Sequence, residues 1–333
     1  MSKIKNVIFE FELEGVGVVN YDSNDQKFIW NRESKNGNKN NLVSIHNNVN
    51  YSKKHIYRNE NGELDYKIKI SSDCLRNSIF RNDAISTNPS ISHHPFLLNS
   101  FIGSVQGLIR GYMFAGKNET LKRKSPLTIT PAIQTNNSVS HLEIGVRSGE
   151  KIVNSDSDKG DTTLRNVETV GEMTYSGKGN INLQNLQFMS CDTVFDRYEF
   201  NSDNIDILNK VLQNTLPNFD SELGYYKLKS SSVNISEYGL KLNNENVLFL
   251  VKEVLKRISD ISIMRNTSYA NISKLRIKLV NSPLIDTYEN QNGWIDINNV
   301  SDIDSLDFDV EDFYEYVEEE EALTERKEII ENV

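Results

Sequence analysis

The stretch "VIFEFELE", residues 7–14, decides the fold class of this chain. Apolar residues stand at every second position from Val7 to Leu13, and glutamates fill most of the positions between them. This period of two predicts a β-strand with one face against a core and the other face in solvent. The strand runs into "EGVGVVNYD", where Gly15 and Gly17 permit tight backbone turns.

The other regular patterns are two helices and several strands. Helical spacing of apolar residues begins near Pro95 and continues through "SFIGSVQGLIRGY", and it recurs over residues 246–261. Strand alternation marks "LDYKIKIS", "KLRIKLV", and the pair "VETVGEMTYS" and "NINLQNLQFMS", which we expect to be joined by a hairpin at "GKG". The main elements follow in the order β-α-β-β-α-β, which predicts an α+β fold of the ferredoxin-like or RNA-recognition type.

The first predicted helix carries three glycines at four-residue spacing, namely Gly103, Gly107 and Gly111. Each glycine inside a helix costs about 0.5–1 kcal/mol relative to alanine, so this bare face needs a reason. A membrane dimer face is disfavoured by the polar residues of the segment. Two explanations remain open. The face packs closely against another protein element, or it admits a phosphate backbone with Arg110, on the same face, as the counter-charge.

Basic residues recur around this segment. The motif "LKRKSPL" follows it, and "CLRNSIFRND" precedes it. A short basic run is common on solvated loops, but several runs near one arginine indicate an anion-binding surface. The candidate cationic residues are Arg76, Arg81, Arg110, Lys122, Arg123 and Lys124.

The charge of the chain is unevenly distributed. The formal net charge is −10, and residues 302–333 contain 14 acidic residues against two basic ones, so the rest of the chain is close to neutral. An acidic block of this kind predicts a solvated or disordered end, with a docking or RNA-mimicking role as the alternative. The chain has two cysteines, Cys74 and Cys191, and no apolar run of membrane-spanning length. We therefore expect a soluble, cytoplasmic protein.

The sequence gives little support for catalysis or metal binding. It contains neither a phosphate-binding G-x-x-x-x-G-K-[ST] loop nor an H-E-x-x-H helix. The pair His93–His94 has no further ligand at metal spacing, and "NSDSDKGD" lacks the glutamate that a calcium loop requires. Asp192 and Asp196 could form a carboxylate pair, but the adjacent Arg197 favours a salt bridge. We expect no catalytic residues, metal or cofactor.

Seven segments together carry a family resemblance that spans roughly residues 1–280. They are "LEGVGVVNYD", "DCLRNSIFRNDAI", "VQGLIRGY", "LKRKSPL", "VETVGEMTYS", "LQNLQFMSCDTVFDR" and "VLFLVKEVLKRISDISI". In order and spacing they resemble the backbone subunit of CRISPR type I Cascade complexes, a member of the RAMP superfamily. The likeness is to the type I-F variant branch.

The resemblance implies an RNA-recognition-type palm over residues 1–290. Two insertions would interrupt it, a web or finger at about 20–95 and a thumb hairpin at 128–167. The cationic residues would hold guide-RNA phosphates, Gly103 and Gly107 would allow close approach, and Ile144 and Val146 of the thumb would wedge between bases. Residues 291–333 form an acidic C-terminal extension that is not associated with the family.

The implied function is sequence-independent binding of guide RNA by copies of the subunit stacked along it, in a complex that recognises complementary DNA. The implied partners are the guide RNA, target DNA through guide pairing, further copies of the chain and other Cascade subunits. No membrane is involved. Two alternatives stay open, an RNA-cleaving effector subunit of the type III kind and a mobile-element homologue that joins or inhibits a host complex. No aspartate matches the type III cleavage residue, which favours a non-catalytic subunit.

Overall fold

The fold is described from a computed structural model of the chain. The described residues are 3–21, 28–30, 42–44, 49–50, 52–83, 94–115, 120–137, 140–148, 162–194, 197–231, 235–265, 268–282 and 291–331. Within them, none of the helices has the length and apolar character of a membrane-spanning segment.

The regular elements are named in chain order. The strands are β1 (Asn6–Val16), β2 (Phe28–Trp30), β3 (Leu42–Ser44), β4 (Val49–Asn50), β5 (Lys54–Arg58), β6 (Leu64–Ile70), β7 (Tyr112–Ala115), β8 (Thr120–Arg123), β9 (Leu127–Ile129), β10 (Ala132–Gln134), β11 (Ser140–Ser148), β12 (Thr162–Val170), β13 (Glu172–Asn182), β14 (Phe188–Ser190), β15 (Glu222–Leu228), β16 (Glu237–Lys241), β17 (Ser262–Arg265), β18 (Ser268–Val280), β19 (Trp294–Ile297) and β20 (Tyr314–Val317). The helices are α1 (Ser72–Ile79), α2 (Pro95–Ile102), α3 (Val105–Arg110), α4 (Leu183–Gln187), α5 (Ile205–Thr215), α6 (Asn244–Ser259), α7 (Val300–Asp304) and α8 (Glu319–Glu331).

Strand β1 lies in the interior of the main sheet, and it is a β-strand with a buried face, as its alternation predicts. It pairs antiparallel with β13 on one side and with β18 on the other. The sheet order is β17-β18-β1-β13-β10-β6-β5, with β19 also on β18 and β9 also on β13. Phe9, Phe11 and Leu13 are buried, whereas Glu14 is exposed. Antiparallel sheets combined with helices confirm the α+β class.

The predicted hairpin at "GKG" is wrong, because residues 172–182 form one continuous strand, β13. Gly177 and Gly179 lie within this strand and pair with Phe11 and Phe9 of β1. A Cβ at Gly177 would lie 2.4 Å from the Phe11 ring, and one at Gly179 would lie 2.1 Å from the Phe9 ring. The glycines therefore make room for core aromatic rings instead of turning the chain. "NLQ" belongs to α4 and not to a second strand.

Because β13 replaces two predicted strands, the predicted pattern lacks one strand. Short strands within residues 127–134 fill this place in the sheet. β9 and β10 both pair antiparallel with β13, and β10 also pairs with β6. They are only three residues long, so their alternation was too short to identify.

The predicted single helix through the glycine-rich segment is two helices. α2 ends at Ile102, and Ser104 begins α3 by accepting a hydrogen bond from the Gly107 backbone N–H through its side chain, at 3.1 Å. Gly111 ends α3 with φ of +74°, a left-handed conformation that favours glycine. The second predicted helix is confirmed as α6, which buries one apolar face against the sheet.

The expectation of a disordered acidic end is wrong for residues 291–331, which are folded, although most of the acidic side chains described there are exposed to solvent. β19 pairs with β18, and β20 pairs with β15 in a second sheet of order β14-β16-β15-β20. Tyr314 is 2% exposed and stacks on Phe188 with ring centroids 4.7 Å apart. The buried Gln187 donates to Glu311 O and accepts from the Phe313 backbone N–H. The acidic residues are interleaved with apolar ones that complete the core, so the segment folds.

The two predicted insertions overlap the main sheet. Within the predicted thumb, β11 and β12 pair as a long antiparallel hairpin, but the short strands β9 and β10 belong to the main sheet. Within the predicted web or finger, β6 and α1 also contribute to the core around that sheet.

Candidate nucleic-acid interface

Helix α1 carries the first cations of the candidate surface. Ser71 begins the helix by accepting from the Cys74 backbone N–H, and Leu75 and Ile79 anchor it in the core. Because these apolar residues fix one face, Asn77 is left exposed and Arg76 partly buried beside it.

Arg76 and Arg110 are held together although both are positively charged. Arg76 donates to Leu127 O at 3.1 Å and to Arg110 O at 3.5 Å, while Arg110 donates to Asn77 Oδ1 at 2.8 Å. Burial and the nearby charge of Arg110 lower the pKa of the Arg76 guanidinium, and Asp73 opposes the shift. Two guanidinium groups in one place repel each other unless an anion joins them, so the pair suits a phosphate.

Lys124 lies next to this arginine pair. At Gly111, which follows Arg110, a Cβ would stand 2.6 Å from Arg123 O and 2.7 Å from Ser125 N. The chain on both sides of Lys124 therefore touches the end of α3, and the Lys124 side chain is exposed. The structure brings the side chains of Arg76 and Arg110 and the backbone at Lys124 together, and we call the region of these three residues the α1–α3 cationic surface.

Lys122 and Arg123 are separated by the alternation of β8. Lys122 is half-buried on the outer side, whereas Arg123 points inward with no exposed side-chain area. Arg123 forms an ion pair with Glu199 and donates to the carbonyls of Leu108 (3.0 Å), Phe188 (3.2 Å) and Asn185 (2.8 Å). This is a correction to the predicted phosphate contact, because a side chain with these partners ties α3 and α4 to β8 inside the protein.

Glu199 is the buried counter-charge of Arg123. Burial raises the pKa of its carboxyl to about 7, although Arg123 opposes the shift. The Glu199 carboxyl therefore gains or loses its proton near neutral pH, which changes the charge of the pair.

Arg81 is exposed at the end of α1, away from the α3 contact. It donates to Ser262 O of β17 at 2.6 Å, and Ser78 donates to the same carbonyl at 3.2 Å. The helix thus rests on the edge of β17. Sequence reasoning missed two cations at this side, Arg265 and Lys53, whose charges oppose the burial that raises the pKa of Cys74. No motif marks them, since only the tertiary fold brings them to α1.

The glycine positions are explained by contacts inside the chain. A Cβ at Gly107 would stand 2.1 Å from Phe101 O, and one at Gly103 would stand 2.8 Å from Val211 Cγ1 of α5. Both residues are buried. Of the two explanations left open by the sequence, these distances favour close packing against protein. The predicted room for RNA at these positions is occupied by the chain itself.

The face of the main sheet that carries Glu10 and Glu12 has a different character. Glu10 on β1 bridges Lys178 of β13 and Arg276 of β18, and these two cations lower the pKa of the Glu10 carboxyl against the effect of burial. Glu12 pairs with Lys274. The cations of this face are already paired with carboxylates of β1, so the cations of the α1–α3 cationic surface are the better candidates for binding a polyanion.

The remaining candidate residues are placed as follows. Ile144 and Val146 lie on β11 opposite Asn166 and Leu164, and their side chains are outside the description. His93, Asp196 and the "NSDSDKGD" motif also lie outside the described residues.

The carboxylate Asp192 is buried and pairs with Arg326 of α8. Arg197, its neighbour in sequence, pairs with Glu237. Asp192 thus has the salt-bridge role that the sequence favoured, but its partner is Arg326 and not the adjacent Arg197. No group of three His, Cys, Asp or Glu residues in the described part of the chain could hold a metal ion.

Fold and site together define an α+β protein with a cationic surface suited to a polyanion. The family described as "Type I-Fv CRISPR-associated protein Cas7fv-like" matches residues 3–300, and the chain belongs to this family. Membership confirms the expected class, a backbone subunit of a type I crRNA-guided complex of the I-F variant branch. No curated protein matches the sequence.

Two solved structures are similar at a low level. A "CRISPR RNA-guided surveillance complex" chain is 9% identical with a TM-score of 0.38, and covers 88% of this chain and 77% of its own. A "CRISPR RNA-guided surveillance complex, pre-nicking" chain is 8% identical with a TM-score of 0.41, and covers 85% and 81%. The family assignment rests on the sequence match.

Proposed function

We propose that the chain grips the phosphates of a guide RNA, irrespective of base sequence, through the α1–α3 cationic surface. The observation that carries this proposal is the convergence of Arg76, Arg110 and the exposed Lys124 from three separate chain segments. Contacts to phosphate carry no sequence information, which is what a subunit repeated along any guide requires. The partners are guide RNA, further copies, other Cascade subunits, and target DNA through guide pairing.

The proposal includes an RNA-recognition-type palm. It would consist of β18, β1, β13 and β10 in that spatial order, with α1 following β1 and α6 following β13 in the chain. This order supports the palm, because it is the strand order of the β-α-β-β-α-β fold with β10 as the second strand. Unlike a sheet that stacks bases on its open face, this palm would bind RNA at its helix side.

The proposed subunit is a binder and not an enzyme, and it works in the cytoplasm, where the guide is made. The ion pairs of Glu199 with the buried Arg123 and of Asp192 with the half-buried Arg326 support this, since they give both carboxylates a structural role. Incubation of the assembled complex with matched RNA and magnesium tests it. Regularly spaced cuts in that RNA would favour an RNA-cleaving effector instead.

A charge-reversal experiment tests the RNA site. The chain is co-expressed with repeat-bearing RNA, and the ratio of absorbance at 260 and 280 nm reports bound nucleic acid. Arg110→Glu combined with Lys124→Glu should remove most of the co-purified RNA, because both cations would become repulsive charges. Lys210→Glu, on an exposed lysine of α5, is the control and should leave the ratio unchanged.

Salt dependence gives a second measurement. Each phosphate contact contributes about 0.7 to the slope of log affinity against log salt. Lys124→Ala should therefore reduce the slope by about 0.7 relative to wild type, while Lys210→Ala should not. Guide-length RNA that still co-purifies with the double charge reversal would refute the site.

A further inference from the structure

The β7–β8 hairpin projects beside the α1–α3 cationic surface and has two distinct faces. Tyr112 and Phe114 point to one side and pack edge-on against Phe101 of α2, with ring centroids 5.8 and 5.4 Å apart. The Tyr112 hydroxyl also donates to Glu199 O at 2.8 Å. These contacts fix the orientation of the hairpin, and strand alternation then turns Met113 to the other side.

Met113 is a large apolar side chain left in solvent, with 74% of its surface exposed. It stands directly opposite Lys122 in the antiparallel register, which places their Cβ atoms about 5 Å apart. Two residues past Lys122 comes the exposed Lys124, and three residues before Met113 comes Arg110. Lys122 therefore stands beside the exposed methionine, and Arg110 and Lys124 of the proposed RNA site are close to this pair along the chain.

We infer that Met113 contacts a nucleobase of the same RNA strand whose phosphates bind Arg110 and Lys124. This inference rests on the proposed function and adds an apolar contact to it. Proteins that bind bent or single-stranded nucleic acid combine backbone cations with apolar side chains that stack on bases or insert between them. The centre of a protein–protein contact is instead depleted in lysine, so the position of Lys122 opposite Met113 favours a nucleotide over a protein partner.

Such a contact tolerates every base, because every base has an apolar face. It would also hold the base at a fixed position relative to the phosphates. The hairpin suits this role, since its backbone is anchored on Phe101 and the side chain projects from a rigid support.

The test uses a short RNA that is long enough to bind only one subunit. It is labelled with 2-aminopurine, a base whose fluorescence rises when it no longer stacks on its neighbours. Met113→Ala should weaken binding about fivefold and reduce the fluorescence rise, with an unchanged salt slope. Met113→Leu should keep both. Met264→Ala is the matched control, because Met264 is 71% exposed on β17, opposite Tyr269, and it should behave as wild type.

Several outcomes would overturn the inference. If the affinity and fluorescence of Met113→Ala equal those of Met264→Ala, Met113 has no base contact. Normal binding of short RNA combined with failed assembly on long RNA would assign Met113 to a contact between copies. Arg110→Glu in the same assay separates the two proposals. If Arg110→Glu binds RNA like wild type, the proposal that the α1–α3 cationic surface binds guide RNA is refuted. If Arg110→Glu loses binding and Met113→Ala binds like wild type, only the proposed base contact is refuted.

Discussion

The buried ion pair between Arg123 and Glu199 gives the sharpest prediction. Replacing Arg123 by methionine keeps much of its volume but leaves Glu199 and the carbonyls of Leu108, Phe188 and Asn185 without their donor. Breaking a buried pair by removing one partner typically costs about 3–5 kcal/mol. A domain is stable by only about 5–15 kcal/mol, so Arg123→Met should lower the urea midpoint substantially.

The assay is urea unfolding of RNA-free protein at about pH 8, above the raised pKa of Glu199. Lys124→Met, the exposed neighbour, is the control and should stay within about 0.5 kcal/mol of wild type. Arg123→Met combined with Glu199→Leu should recover part of the lost stability, because it removes both buried charges but leaves the three carbonyls without the Arg123 donor. An Arg123→Met protein with wild-type stability and a salt slope for RNA reduced by about 0.7 would refute the buried role and restore the phosphate contact.

Three further predictions concern packing, pH and the C-terminal segment. Gly107→Ala should cost about 1–3 kcal/mol, seen as a lower Tm, because its Cβ would stand 2.1 Å from Phe101 O; an unchanged Tm would contradict this. The pKa of the Glu199 carboxyl is raised to about 7, so its contribution to stability is present below about pH 4.5 and is lost as pH rises through 7. The unfolding free energy of the wild type should therefore fall between pH 4.5 and 7 relative to that of Glu199→Gln. Parallel pH profiles would exclude this. Gln187→Ala should lose about 1–3 kcal/mol and speed limited proteolysis after Phe313, since it removes a hydrogen bond to that backbone N–H; equal digestion rates would show that other contacts hold the segment.

The sequence by itself determined the elements whose pattern is local and long. β1 and α6 follow from periods of two and 3.6, because eleven or sixteen residues give enough repeats to define a face. The family was also identified from the sequence, since its motifs are short stretches that can be recognised without knowing the fold. For the candidate site, the sequence predicted that Arg76, Arg110 and Lys124 belong to one anion-binding surface, but not which contacts hold them there, nor that Arg123 lies inside the protein.

Only the tertiary structure decided the role of a residue whose type suits two different environments. Gly177 and Gly179 read as a turn, yet they are strand residues because Phe11 and Phe9, from a strand distant in sequence, occupy the space of their side chains. Arg123 stands between two lysines and reads as a surface cation, yet the acceptor that draws it inside is Glu199, 76 residues away.

The acidic end shows the same limit. Its charge predicts a solvated or disordered tail. Charge density does not show that β20 pairs with β15 or that the apolar residues between the acidic ones are buried. A side chain's surroundings are set by residues far along the chain, and only the folded arrangement brings those residues into contact.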